Sequence, residues 1–148
     1  MLTNLDTAQF EKGSSATTYE PYSSNDYEIN LGKNLFDKYN YDSLDAYVDG
    51  SEIKASVNNK LVWIPCDSDT AYAITVVSSS VSTSVYSSPD IPVVGGTVNW
   101  LGSIAAGNTT GVFTTKPAAK YIVVRIWSNT ASHTVQEALD ALQVEAGS

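Results

Sequence analysis

The sequence predicts an all-β fold, an antiparallel β-sandwich with one short helix near its C-terminus. Three observations predict it. Short runs of β-branched and aromatic residues recur along the chain, turn residues separate them, and one stretch alone has helical spacing. The chain has 148 residues, about the size of one domain, and 43% of them are hydrophobic. That fraction is enough for a core and excludes wholesale disorder.

The predicted strands occupy the middle of the chain. The strongest signal is residues 121–127 (YIVVRIW), and residues 81–86 (VSTSVY) alternate strictly between two faces. Clusters of Asp, Ser, Gly, Pro and Asn separate the segments and are typical of turns. The other predicted strands are residues 61–66, 71–77, 97–101 and 111–115.

The helix signal lies near the C-terminus. Thr134 and Glu137 have the spacing of a capping box, in which each side chain bonds the other residue's backbone N–H. Apolar residues then recur at helical spacing from Val135 to Leu142. We predict a helix over residues 134–139, followed by a final strand over 141–145.

A ten-residue motif occurs twice. Residues 5–14 (LDTAQFEKGS) and 139–148 (LDALQVEAGS) are identical at six of ten positions, in one constant register. Such self-similarity indicates a repeat boundary. We therefore predict that residues 1–31 are the exit strand and linker of a preceding module, and that residues 32–148 form a β-sandwich module. Neighbouring modules of the same chain are expected partners.

Charge and composition exclude several classes of protein. The chain has 8 basic and 16 acidic residues, a net charge of −8, which disfavours nucleic acid and anionic membrane surfaces. No apolar run approaches the roughly 18 residues of a membrane span, and no signal pattern opens the sequence, so membrane insertion is not expected. One Cys excludes an internal disulfide, and one His excludes a His-rich metal centre.

Several segments resemble a module of phage and prophage tail proteins. They are residues 34–37 (NLFD), 62–76 (VWIPCDSDTAYAITV), 114–127 (TTKPAAKYIVVRIW), and the two exit segments 142–148 (LQVEAGS) and 8–22 (AQFEKGSSATTYEPY). This family is similar in build to jelly-roll carbohydrate-binding modules, and its members sit on tail fibres, baseplates and other minor structural proteins. The resemblance implies a jelly-roll-like sandwich on the virion, made in bacterial cytoplasm, that recognises a host cell-surface saccharide. Residues 81–108 show no such resemblance.

The strand at 121–127 presents the candidate ligand-binding residues. Alternate aliphatic positions form one face, and Tyr121, Arg125 and Trp127 share the opposite face. An aromatic ring stacks on the C–H face of a pyranose, and a guanidinium donates to sugar hydroxyls or to a carboxylate. The alternative is that Trp127 packs under a loop and that Arg125 pairs with one of the acids.

The other unusual residues are assigned to the core or the surface. Trp63 and Trp100 are predicted in the core, and Cys66 is predicted to be a small buried hydrophobe. His133 is expected at a surface turn. No catalytic residue is predicted, because nothing marks a carboxylate pair with the separation that a glycosidase requires.

Acidic residues crowd the segment 37–52 (DKYNYDSLDAYVDGSE), and Asp67 and Asp69 share a turn. Such oxygen-rich segments can hold a structural Ca²⁺ ion, although no EF-hand spacing is present. Acids in solvated loops are the ordinary alternative. No cofactor is expected. A structural Ca²⁺ ion and solvated acidic loops are the two alternatives for these residues.

These observations lead to one prediction and one alternative. The prediction is a non-catalytic carbohydrate-binding module of a tail protein that takes part in host recognition. The alternative is a structural spacer or assembly domain of the tail with no glycan affinity. A binder would present its outward aromatic residues in an open groove, whereas a spacer would bury them between subunits, including subunits of a homo-oligomer.

Overall fold

A computed structural model of the chain describes residues 34–127 and 133–147. The described residues form ten strands and one helix. In chain order these are β1 (Asp42–Leu44), β2 (Ala46–Asp49), β3 (Glu52–Ala55), β4 (Asn59–Pro65), β5 (Ala71–Thr75), β6 (Thr83–Ser88), β7 (Asn99–Ile104), β8 (Thr110–Thr114), β9 (Tyr121–Trp127), α1 (Val135–Ala141) and β10 (Gln143–Ala146). The segment 1–31 lies outside the described residues, so the exit strand, the linker and the tandem repeat stay predictions.

Two antiparallel sheets form a sandwich. The larger has the strand order β1-β4-β9-β6-β7, and the smaller has the order β10-β5-β8. Strands β2 and β3 form a separate two-stranded hairpin. Eight strands in two facing antiparallel sheets is the strand number of a jelly roll. The predicted all-β sandwich, with one short helix in the described part of the chain, is confirmed.

The main core fills the space between the two sheets. The five-stranded sheet contributes alternate aliphatic side chains, such as the fully buried Ile122 and Val124 of β9. The three-stranded sheet contributes larger groups, among them Tyr72 and Phe113, and α1 adds Leu139. Because β-strand side chains alternate, this arrangement leaves the odd-numbered residues of β9 on the outer face of the large sheet.

A second core covers the centre of that outer face. The β2–β3 hairpin lies over it and buries an apolar cluster against the sheet. The cluster consists of Ala46, Val48, Ile53, Leu61, Tyr86, Val98 and Val123. The hairpin turns at Gly50, whose φ of 64° is a conformation that favours glycine. The large sheet is therefore covered on both sides at its centre.

The sequence predicts β9 with the observed bounds and misses the hairpin. The hairpin lies in the acid-rich segment 37–52, where charged and turn-forming residues surround its few apolar positions. The strand predicted at 81–86 is instead Thr83–Ser88. Ser87 of that strand is polar and fully buried. Its hydroxyl accepts a hydrogen bond from the Lys116 backbone N–H at 3.4 Å, which satisfies this polar group.

The capping box is confirmed. The Thr134 hydroxyl accepts a hydrogen bond from the Glu137 N–H at 3.1 Å, and a Glu137 carboxylate oxygen accepts one from the Thr134 N–H at 2.7 Å. The bond from the Thr134 N–H to the carboxylate lowers the pKa of Glu137. The helix extends two residues beyond the predicted end, to Ala141. In the described ranges, no helix is long and apolar enough to cross a membrane.

Candidate functional site

Strand β9 places the three predicted binding residues on one face but not in one site. Tyr121, Arg125 and Trp127 share the outer face with Val123, which is fully buried under the β2–β3 hairpin. Four residues along a strand span roughly 13 Å, so Tyr121 lies on the far side of Val123 from Arg125. The structure therefore brings Arg125 and Trp127 together and leaves Tyr121 at the other end of the strand.

Arg125 is held by side chains from three neighbouring strands. Its Nε–H donates a hydrogen bond to Oδ1 of Asn59 at 2.8 Å. The guanidinium carbon lies 3.8 Å from the ring centroid of Trp127 and 5.9 Å from that of Tyr47. The Tyr86 hydroxyl also faces this group. These contacts fix the plane of the guanidinium.

The charge of Arg125 has no carboxylate partner among the described residues. Each described ion pair uses a lysine, and the pairs are Lys38–Asp140, Lys54–Asp49 and Lys60–Asp45. Arg125 is half-buried, and this burial lowers the pKa of its guanidinium below the ordinary value for arginine. Tyr86 opposes that shift. In the described part of the chain, the alternative that Arg125 pairs with an acid is not met.

Trp127 is half-buried beside Arg125. Its indole N–H donates to the backbone carbonyl of Ser82, just before β6, at 3.2 Å. One face of the ring lies against the guanidinium. The ring therefore contacts the chain that enters β6, as the packing alternative expected, and it also keeps part of its surface in solvent.

Trp100 was predicted in the core, and that prediction is wrong, because 52% of its surface is exposed. It lies on β7, the last strand of the large sheet, and it is not part of the second core that the hairpin covers. The ring packs edge-on against the buried Tyr86, with centroids 5.3 Å apart and an interplanar angle of 68°. Because β7 is an edge strand, one face of the Trp100 ring lies in solvent, and the contact with the buried Tyr86 fixes the orientation of the ring.

Two serines lie between these aromatic residues and Arg125. Ser84 of β6 pairs with Ser103 of β7, and each precedes a buried residue of the main core, so both point to the outer face. Tyr86, which lies two residues from Ser84 on β6, pairs with Trp100, so both serines share the outer face with Trp100. We call this surface the outer patch, and it consists of Tyr47, Ser84, Tyr86, Trp100, Ser103, Arg125 and Trp127.

The sequence pointed to only two members of the outer patch, Arg125 and Trp127. The alternation in residues 81–86 does place Ser84 and Tyr86 on one face, which is a usable signal. The strand order, which makes β7 an edge, has no comparable signal in the sequence. Trp100 and Ser103 therefore could not be assigned to the site.

Trp63 lies on the outer face of β4, directly opposite Val123 of β9. It packs against the second core, as predicted, but it is half-buried rather than fully within the core. With Tyr41, Asp42 and Pro65 it lines a cleft of about 210 Å³. The cleft and the outer patch share no residue, and they are different surfaces.

The acid-rich segment 37–52 forms strands and surface ion pairs. Asp45 and Asp49 each bond a lysine at 2.7 Å. Within residues 34–127 and 133–147, no three His, Cys, Asp or Glu side chains converge as a metal site would require. Structural calcium therefore has no candidate ligand set in this part of the chain.

Cys66 is half-buried against the main core. Burial and the neighbouring Asp67 raise the pKa of its thiol to about 11. At neutral pH the side chain is a thiol and a poor nucleophile. It packs against the core, as predicted for a small hydrophobe, but it is only partly buried.

Comparison with known proteins identifies no relative. No family model matches this sequence, and no curated protein and no solved structure is significantly similar to it. The fold and the outer patch therefore carry the argument for function.

Proposed function

We propose that this chain is a non-catalytic carbohydrate-binding module of a phage or prophage tail protein, which binds a host cell-surface saccharide through the outer patch. The observation that carries the proposal is the exposed Trp100, fixed edge-on by Tyr86 in the same patch as Arg125. The proposed location is the virion, after synthesis in bacterial cytoplasm. Its proposed neighbours are modules of the same chain and other copies of it.

The chemistry of the outer patch suits a sugar. A pyranose has an apolar C–H face and a rim of hydroxyls, so its receptor needs a flat ring beside hydrogen-bonding groups. Trp100 supplies the ring, while Ser84, Ser103 and Arg125 supply donors and acceptors on the same face. An exposed tryptophan fixed by its neighbours retains apolar area in water, which is typical of a binding surface.

The scaffold supports the proposal because the groups lie on strands. Side chains on a sheet lose little freedom when a ligand binds, so a preformed patch gains affinity. Arg125 is already restrained by Asn59 and Trp127. The net charge of −8 favours solubility for a protein displayed in many copies.

A structural spacer or assembly domain of the tail is the second candidate. One observation favours it: the loop between β6 and β7 exposes Ile91, Val93 and Val94, each by more than half of its surface. Apolar side chains grouped in this way are common at subunit contacts. The loop and the outer patch share no residue, so variants at each can distinguish the two functions.

Trp100→Ala tests the proposed function. The full chain is first screened against an array of bacterial surface glycans, and affinities for the bound glycans are then measured by calorimetry. A stacking ring contributes about 1–3 kcal/mol to the binding free energy, by analogy with bases that stack on aromatic side chains. We therefore expect about a tenfold or greater loss of affinity when the ring is removed. The melting temperature should change little, because the ring is largely exposed.

Val112→Ala is the matched control, since Val112 is 54% exposed on the smaller sheet. It should bind as the wild type does. Equal binding by Trp100→Ala and the wild type would contradict the proposed site. A wild type that binds no glycan, but forms oligomers that Ile91→Ser dissociates, would establish the assembly function instead.

A further inference from the structure

We infer that the saccharide bound at the outer patch carries an oxyanion, a carboxylate or phosphate group, which pairs with Arg125. The inference rests on the proposed function and names the chemical class of its ligand. It follows from three properties of this one side chain: its charge, its N–H donors that have no partner among the described residues, and its orientation.

The charge argument starts from composition. Arg125 is the only arginine of the chain, and acids outnumber bases 16 to 8. Despite this excess, the described ion pairs all use lysines. A half-buried cation without an anion is unfavourable, since burial removes water that would stabilise it. A ligand with an anionic group would form an ion pair with the guanidinium and so stabilise its charge.

The donor argument concerns the guanidinium N–H groups. A guanidinium has five donors and no acceptor. Its Nε–H bonds Asn59, and the Tyr86 hydroxyl is placed to accept at most one more. At least three donors therefore have no partner among the described side chains. A carboxylate or phosphate accepts two of them in parallel, which a single sugar hydroxyl cannot do.

The orientation argument concerns the plane of the group. Asn59 holds the Nε side, and the Trp127 ring covers one face at 3.8 Å. The two terminal nitrogens form the edge that remains for a ligand. A fork held in this way is ready for bidentate pairing, so the ligand does not have to order a flexible side chain.

The acidic character of the protein does not prevent this pairing. Two of the acids on the hairpin and beside it, Asp49 and Asp45, pair with Lys54 and Lys60 at 2.7 Å. The third, Glu52, lies opposite Asp49 at the turn of the hairpin. More distant charges are screened, because the Debye length at physiological ionic strength is about 8 Å. Burial also lowers the pKa of Arg125, and a bound oxyanion would oppose that shift.

The test compares an acidic polysaccharide with its own neutral form. A glucuronate-containing polysaccharide is bound before and after carboxyl reduction, which converts each uronate to a neutral hexose. A poly(glycerol phosphate) chain forms the second arm and distinguishes phosphate from carboxylate. We expect the wild type to bind one of the two acidic polymers about tenfold or more tightly than the reduced polysaccharide, with affinity falling as salt rises.

Three variants complete the test. Arg125→Gln should remove the preference for the acidic polymer, and Arg125→Lys should restore only part of it, because a lysine lacks the planar fork. Lys116→Gln makes the same charge change at an exposed loop position and should leave the preference intact. The affinities of the wild type for the acidic and neutral polymers are compared without any variant. This part of the test is therefore valid even if Arg125→Gln lowers stability.

The outcomes separate this inference from the proposed function. Equal binding of acidic and neutral polymers, or a preference that survives Arg125→Gln in a folded variant, would overturn the inference. If neutral glycans bind and Trp100→Ala abolishes that binding, the proposed function stands and only the oxyanion is wrong. If no glycan of either kind binds, both fail.

Discussion

Phe113→Ala is expected to lower the free energy of unfolding by about 3–5 kcal/mol, as truncation of a buried phenylalanine does. Phe113 lies on β8 and is 9% exposed within the main core. Its ring occupies space that two glycines leave open. A Cβ on Gly111 would lie 2.8 Å from this ring, and one on Gly102 would lie 2.9 Å from it. Neighbours that have no side chains cannot move in to fill the cavity.

Urea denaturation followed by tryptophan fluorescence gives the measurement for Phe113→Ala. Val112→Ala is the control, because Val112 is the adjacent residue of β8 and faces solvent. Its expected loss is below about 1 kcal/mol, typical of an exposed site. Losses of equal size in the two variants would show that β8 does not close the main core as described.

Ile53→Ala is expected to destabilise the module by about 2–5 kcal/mol. Ile53 lies on β3, is 1% exposed, and packs in the second core. Its backbone also bonds the loop before β7 through Gly95 and Gly96, at 2.8 Å each. The hairpin therefore covers the outer face of the large sheet and is also hydrogen-bonded to the loop that precedes β7.

Ile91→Ala carries the same chemical change at a site that is 58% exposed, so it is the matched control for Ile53→Ala. Thermal unfolding of both variants should show a lowered midpoint for Ile53→Ala alone. An unchanged midpoint for Ile53→Ala would mean that the hairpin does not pack on the sheet and that Val123 is accessible.

The sequence predicted the elements that depend on residues close together in the chain. The strand at 121–127 is strongly β-branched and alternates, and the box at Thr134 and Glu137 requires only its own spacing. The β2–β3 hairpin has short strands of four residues each, flanked by charges. Its stability comes from packing on a distant strand, which periodicity does not reveal.

The candidate site depends even more on tertiary structure. Alternation places Tyr121, Arg125 and Trp127 on one face of β9. It does not show that a hairpin covers Val123 between them, or that β7 is an edge strand that leaves Trp100 exposed. A strand's face can therefore be predicted from the sequence, whereas the part of that face that meets solvent is set by the neighbouring strands.

The most direct test of the proposed site uses the three indole N–H groups of the protein as reporters. The acidic polysaccharide described above is cut into oligosaccharides and titrated into ¹⁵N-labelled protein, with the indole signals assigned by single Trp→Phe variants. The account predicts shifts at Trp100 and Trp127, which lie in the outer patch, and no shift at Trp63, which lines a different cleft. Saturable shifts at Trp63 alone, with Trp100 and Trp127 unchanged, would contradict it.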